Sequence, residues 1–77
     1  MRNDYAESIL TGVVKALKDA RLKKGLSHES LAQKAGITRP AISHIENGKR
    51  KPTLLICLKI AQALDLKLWQ LIKKAEK

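Results

Sequence analysis

Two glycines, Gly36 and Gly48, bracket the stretch Ile37-Thr38-Arg39-Pro40-Ala41-Ile42-Ser43-His44-Ile45-Glu46-Asn47 and leave it few conformations to choose from. Each glycine can take the left-handed backbone that ends one helix and turns the chain toward the next element. Between them, Ile42 and Ile45 lie three apart and share one helix face, while Arg39, Pro40, Ser43, His44 and Asn47 share another. The spacing predicts a helix over about 39–47. Thr38 is placed to cap it, and a proline in the first turn is tolerated because those N–H groups lack intrahelical partners. A residue before proline is pushed away from the α region, so Arg39 is the alternative cap, with the helix beginning at Pro40.

Similar punctuation divides the rest of the chain. A first helix is expected over about 4–24, capped by Asn3 or Asp4, with Glu7 favourable near its positive end. Ile9, Val13, Leu17 and Ala20 form its inward stripe, with Leu10 and Val14 beside it. Gly12 costs about 1 kcal/mol relative to alanine in a helix interior, so fraying or a kink is expected there. Lys23, Lys24 and Gly25 supply an ending. Ser27 caps a second helix over 28–35, with Ser30 where a reciprocal capping box would carry Glu or Gln. Leu31 and Ala35 face inward, and Ala32 is small enough for a helix to cross close behind. Only about three residues, starting with Gly36, join this helix to the next. Two short helices crossing steeply on a glycine-containing turn form a helix-turn-helix.

Thr53 caps a fourth helix over about 54–64, with Leu54, Cys57, Leu58, Ala61 and Leu64 on its inward face. Asp65 stands where a stop residue is usual, before a last helix over about 67–76 that turns Leu68, Leu71, Ile72 and Ala75 inward. Leu55, Ile56 and Trp69 fall off these stripes. They predict an exposed apolar patch and, through it, a dimer interface. No stretch alternates with period two, so the expected class is all-α: five helices in one domain spanning 1–77.

Sixteen Lys and Arg against seven Asp and Glu leave a net charge of +9, which favours a polyanionic partner. A membrane surface is disfavoured, because the cations are dispersed and no helix sets a Trp/Leu face against a Lys face. No apolar run approaches the roughly 18 residues of a membrane span, and no signal-peptide core is present, so a cytoplasmic, nucleoid-associated protein is expected. Cys57 stands alone, which excludes an internal disulfide and fits a reducing compartment. The two histidines and the cysteine sit on separate elements, no carboxylates pair, and no glycine loop is built for phosphate. No enzyme, metal site or cofactor is expected. A helix about 10–12 Å across fits the major groove of B-DNA, about 12 Å wide. The 39–47 helix therefore reads as a recognition helix, with an ordinary amphipathic surface helix as its rival. Lys49-Arg50-Lys51 follows directly, where a phosphate backbone would run past it, or where a solvated turn would do as well.

The pattern Leu17-x-x-x-Arg21…Gly25-Leu26-Ser27-His28-Glu29-x-Leu31-Ala32-x-x-Ala35-Gly36-Ile37-Thr38-x-x-x-Ile42-Ser43-x-Ile45-Glu46-x-Gly48-Lys49-Arg50-x-Pro52, followed by Ile60-Ala61-x-Ala63-Leu64, resembles the phage-repressor and Cro-like helix-turn-helix family, also called the xenobiotic-response-element family. The resemblance covers roughly residues 13 to 72. It implies a compact five-helix lambda-repressor-like fold, its second and third helices forming the motif, and dimers that bind two half-sites about one helical turn of DNA apart. It assigns base contacts to Arg39, Pro40, Ser43 and His44. Pro40 departs from the polar residue many members carry and offers only apolar contact. Phosphate contacts fall to Ser27, His28 (usually Gln in the family), Thr38, Asn47, Lys49 and Arg50. Arg21 and Glu46 match a pair that bonds in related repressors. Both also sit on inward-leaning stretches with few other charges, where either would be costly to bury alone. The implied function is a sequence-specific double-stranded-DNA-binding transcriptional regulator, acting as a dimer on a pseudo-palindromic operator. The alternatives are a controller protein of a restriction–modification system, and an antitoxin that binds a toxin partner and autoregulates its operon.

Overall fold

The computed structural model describes residues 2–76, with side chains from 4 onward. Five helices follow in order: α1 (Arg2–Lys23), α2 (His28–Ala35), α3 (Arg39–Glu46), α4 (Leu54–Ala63) and α5 (Leu68–Glu76). No strand occurs among the described residues. The long α1 lies along α5 and touches α3, while α2 sits against both α3 and α4. Every helix donates aliphatic side chains to one cluster. Val13 and Leu17 come from α1, Leu31, Ala32 and Ala35 from α2, Ile42 and Ile45 from α3, Cys57, Ile60 and Ala61 from α4, and Leu68 from α5, around a fully buried Leu64.

Local chemistry sets most helix ends. Ser27, Thr38 and Thr53 each hold extended backbone, and each side-chain oxygen accepts from the N–H three residues on: Ser30 at 3.0 Å, Ala41 at 3.3 Å and Ile56 at 3.1 Å. Thr38, not Arg39, is thus the cap of α3, and Pro40 lies within its first turn. The helix ends one residue before the expected 47, with Asn47 as its C-cap and Gly48 in the left-handed region. Asp65 adopts φ 60°, the sole non-glycine residue with positive φ among the described residues. A short polar side chain tolerates that backbone better than most. It lets Leu66 N–H donate to the Ala61 carbonyl at 2.8 Å, closing α4 as a glycine would.

Four expectations need correction. The first helix is already running at Arg2, so Asn3 and Asp4 lie in its first turn and neither caps it; the cap falls outside the described residues. Gly12 does not interrupt the helix, since α1 is continuous through it. A Cβ there would sit 3.2 Å from the Ala75 Cβ, so the missing side chain is what lets α5 cross close to α1. On α4 the inward stripe is Cys57, Ile60, Ala61 and Leu64, which rotates Leu58 outward. Leu54, in the opening turn, overlies a shallow hollow lined by Cys57, Leu68 and Ile72, and both leucines remain exposed. Ile56 makes the opposite exchange: it is half-buried against the core, so it leaves the proposed patch that Leu55 and Trp69 still carry.

Candidate nucleic-acid interface

The outer face of α3 is available because its inner face is fixed. Ala41, Ile42 and Ile45 are buried, and their spacing holds the helix at one rotation. Arg39, Pro40, His44 and Asn47 are left exposed, with Ser43 half-buried beside them. Asn47 Nδ2 reaches Ser43 Oγ at 3.5 Å, so these two share one strip of surface. Beyond the helix the chain doubles back over its end. The N–H groups of Lys49 and Arg50 both donate to the His44 carbonyl, at 2.9 and 3.2 Å. That turn keeps two cations beside the C-terminus of α3. Lys51, the third cation of the loop, is engaged elsewhere, its Nζ 2.7 Å from Glu7 Oε2 on α1.

Behind this surface, one cluster of charges ties three elements together. Arg21, only 7% exposed, donates from Nε to Glu46 Oε2 at 2.7 Å and from Nη2 to Glu46 Oε1 at 2.9 Å. Its Nη1 donates to the Leu26 carbonyl at 2.7 Å. The fork thus pins the end of α1, the α1–α2 turn and the end of α3 in one arrangement. His28 joins from the start of α2, with Nε2 3.0 Å from Glu46 Oε1. Burial alone would raise the Glu46 carboxyl, but the hydrogen bonds and charges of Arg21 and His28 outweigh it and hold the group below its ordinary 4.5. Among the described residues no buried side-chain N or O atom lacks a partner. Burial pushes the Cys57 thiol upward, as expected of a core filler rather than a reactive group.

The structure therefore brings Arg21, His28 and Glu46 together, and separately gathers the α3 surface residues with the basic turn. Ser27 is exposed at the entry to α2, its hydroxyl accepting from Ser30 N–H and donating to Ser30 Oγ at 3.1 Å. The His28–Glu46 contact escapes the sequence because the residues are eighteen apart on different helices. Glu7 with Lys51 is a longer case of the same kind. No helix of the described residues is long and apolar enough to cross a membrane, and no group of three or more potential metal ligands occurs among them.

A family model described as helix-turn-helix matches residues 17–68. The chain belongs to the helix-turn-helix family. Its resemblance to repressor and Cro-like regulators, read from the motif, is met by this match. YgzD of Bacillus subtilis, an uncharacterized helix-turn-helix-type transcriptional regulator, is 38% identical over 52 residues, covering 68% of this chain and 79% of that protein. Two solved structures share the fold at higher coverage, both of restriction–modification controller proteins. C.AhdI from Aeromonas hydrophila superposes with a TM-score of 0.73 at 35% identity, over 82% of this chain and 94% of that one. Wild-type C.Esp1396I superposes with a TM-score of 0.76 at 30% identity, over 87% of this chain and 90% of that one. The family and its five-helix architecture place this helix-turn-helix protein among transcriptional regulators, not enzymes.

Proposed function

We propose that this helix-turn-helix protein is a sequence-specific, double-stranded-DNA-binding transcriptional regulator that works as a dimer on a pseudo-palindromic operator. The observation that carries the reading is the division of α3, with Ala41, Ile42 and Ile45 locked in the core and Arg39, Pro40 and His44 offered to solvent at its outer face. Such a helix enters the major groove with its N-terminal residues toward base edges. Arg39 carries a planar fork that matches guanine O6 and N7. His44 and Ser43 add hydrogen bonds, and Pro40 offers apolar surface to a thymine methyl. Ser27 and, through its backbone N–H while its ring stays on Glu46, His28 at the entry to α2, Thr38 and Asn47 at the ends of α3, and Lys49 and Arg50 in the turn contact phosphates on either side. The Arg21–Glu46–His28 cluster fixes the angle between α2 and α3, so base and phosphate contacts keep register.

Dimerisation runs through α4 and α5, where Leu55 and Trp69 are each 59% exposed and Leu54 and Leu58 stand in solvent as well. Surface apolar groups of this size on neighbouring helices fit a self-complementary contact. The net charge of +9 supports DNA as partner and fits work in the cytoplasm, on the nucleoid. A controller role in a restriction–modification system is favoured as the specific biological setting by the likeness to two such proteins over more than four-fifths of this chain. Selection of bound sites from random duplex DNA tests the core of the reading. The expected product is an enriched, two-fold-related pair of half-sites about one helical turn apart. Recovery of unrelated sequences, or of a single asymmetric site, would count against it.

A further inference from the structure

Beside the C-terminal end of α3 lies a hollow of about 590 Å³, open to solvent along one side, between α1 and the turn that follows α3. Its volume is in the range of small-molecule sites, about 300–1,000 Å³. Leu10, Val14, Ile45 and Pro52 give it an apolar lining, and Leu22, 55% exposed, adds apolar surface to it from α1. The charges around it do not cancel. Lys15 pairs with Asp19 at 3.5 Å, Lys51 with Glu7 at 2.7 Å, and Glu46 is neutralised by Arg21. Among the described residues, that leaves Lys18 on α1 and Arg50 on the turn as lining cations with no acidic partner. A second, smaller and more apolar hollow shares Leu10 and Pro52 with the first, so apolar surface continues past its end.

We propose that this hollow binds a small organic anion with an apolar body, an aryl or acyl carboxylate, and that its occupancy weakens DNA binding. The carboxylate sits between Lys18 and Arg50, and the body lies on Leu10, Val14 and Leu22. The site deepens the regulatory reading above and rests on it in one respect: Arg50 is also a proposed phosphate contact, so anion and DNA backbone compete for it. Arg50, Gly48 and Asn47 all line the hollow, so the bound anion touches the turn that the DNA backbone would approach.

Naphthalene-1-carboxylate is a suitable probe, with the neutral naphthalene-1-carboxamide as its control for charge. Titrated into the full chain without DNA and followed by backbone and methyl resonances, the carboxylate should shift Leu10, Val14, Leu22 and Arg50. The carboxamide should bind at least about tenfold more weakly, as should the carboxylate to Lys18→Glu. Lys18 is half-buried on α1 and lies outside the proposed DNA contacts, so Lys18→Ala should bind operator DNA like the parent while losing the probe's effect on it. Saturating carboxylate should lower the parent's operator affinity severalfold. Equal binding of acid and amide, unchanged binding to Lys18→Glu, or shifts confined to Leu55 and Trp69 would each overturn the site. Probe binding that leaves operator affinity untouched would overturn the coupling. The probe-free DNA titration reports separately on the regulatory reading, so failure of one is not mistaken for failure of the other.

Discussion

Replacing Arg21 by alanine is the most demanding test of how this structure is held together. The guanidinium makes three hydrogen bonds, two to Glu46 and one to the Leu26 carbonyl, and the two charged side chains are only 9% and 8% exposed. Removing one partner from a buried pair costs about 3–5 kcal/mol, because the other charge stays desolvated. His28 remains on Glu46 Oε1 and offsets part of this, which places Arg21→Ala near the lower end, about 3 kcal/mol. A chain of this length has a total stability of about 4–12 kcal/mol. The loss is therefore a large share of the whole. At about 4–8 °C per kcal/mol for a domain of this size, the melting temperature should fall by about 12–24 °C. Thermal melts followed by far-ultraviolet circular dichroism at neutral pH, paired with urea titrations, measure it. A fall of less than about 8 °C would put the pair in the class of surface ion pairs, worth about 1 kcal/mol or less, and refute the argument. The double variant Arg21→Met with Glu46→Leu separates the two contributions. Apolar replacement of both should recover part of the loss, since it removes the orphaned carboxylate but leaves the Leu26 carbonyl and His28 without the partners they have in the parent.

Glu46 is held below its ordinary 4.5, so as pH falls the unfolded chain takes up its proton first. The cluster's stabilisation is complete above the unfolded value and is lost as pH drops through the lower folded one, and Glu46→Gln should flatten the acid side of a melting-temperature profile. At Gly12, valine should cost about 1–3 kcal/mol by crowding Ala75. Alanine there should stay within about 1 kcal/mol of the parent, its better helix propensity offsetting the 3.2 Å approach; thermal melts distinguish the two. Trp69→Lys should shift sedimentation at tens of micromolar toward the monomer, and an unchanged sedimentation coefficient would remove α5 from the interface. Arg39→Ala should relax sequence preference at one base pair by about 1–3 kcal/mol in competition binding. Lys49→Ala should instead weaken all sequences alike and shallow the salt slope by about one.

Much of the geometry of the candidate interface could be read without coordinates because its determinants are local. Ser27, Thr38 and Thr53 each cap a helix through the N–H three residues ahead, an interaction complete within one turn. The burial of Ile42 and Ile45 follows from their spacing, and with them the exposure of Arg39 and His44 opposite. Periodicity was less informative on α4. Apolar residues there cover most of the circumference, so the pattern admits several rotations. Contact with α2 and α5 selected the one that exposes Leu54 and Leu58 and half-buries Ile56.

The amino-acid sequence by itself determined that Ser27 and Thr53 open α2 and α4, that a helix-turn-helix lies between Ser27 and Gly48, and that α3 has a polar face, since these rest on hydrogen bonds and spacings within a few residues. Tertiary structure alone decided that Gly12 is a crossing point for Ala75, that His28 turns to Glu46, and that Lys51 is occupied by Glu7 while Lys18 and Arg50 find no acidic partner among the described residues. Those outcomes depend on which distant segments are brought side by side. No pattern along one helix records the approach of another, because contacts between helices are chosen by how the whole core fills its volume.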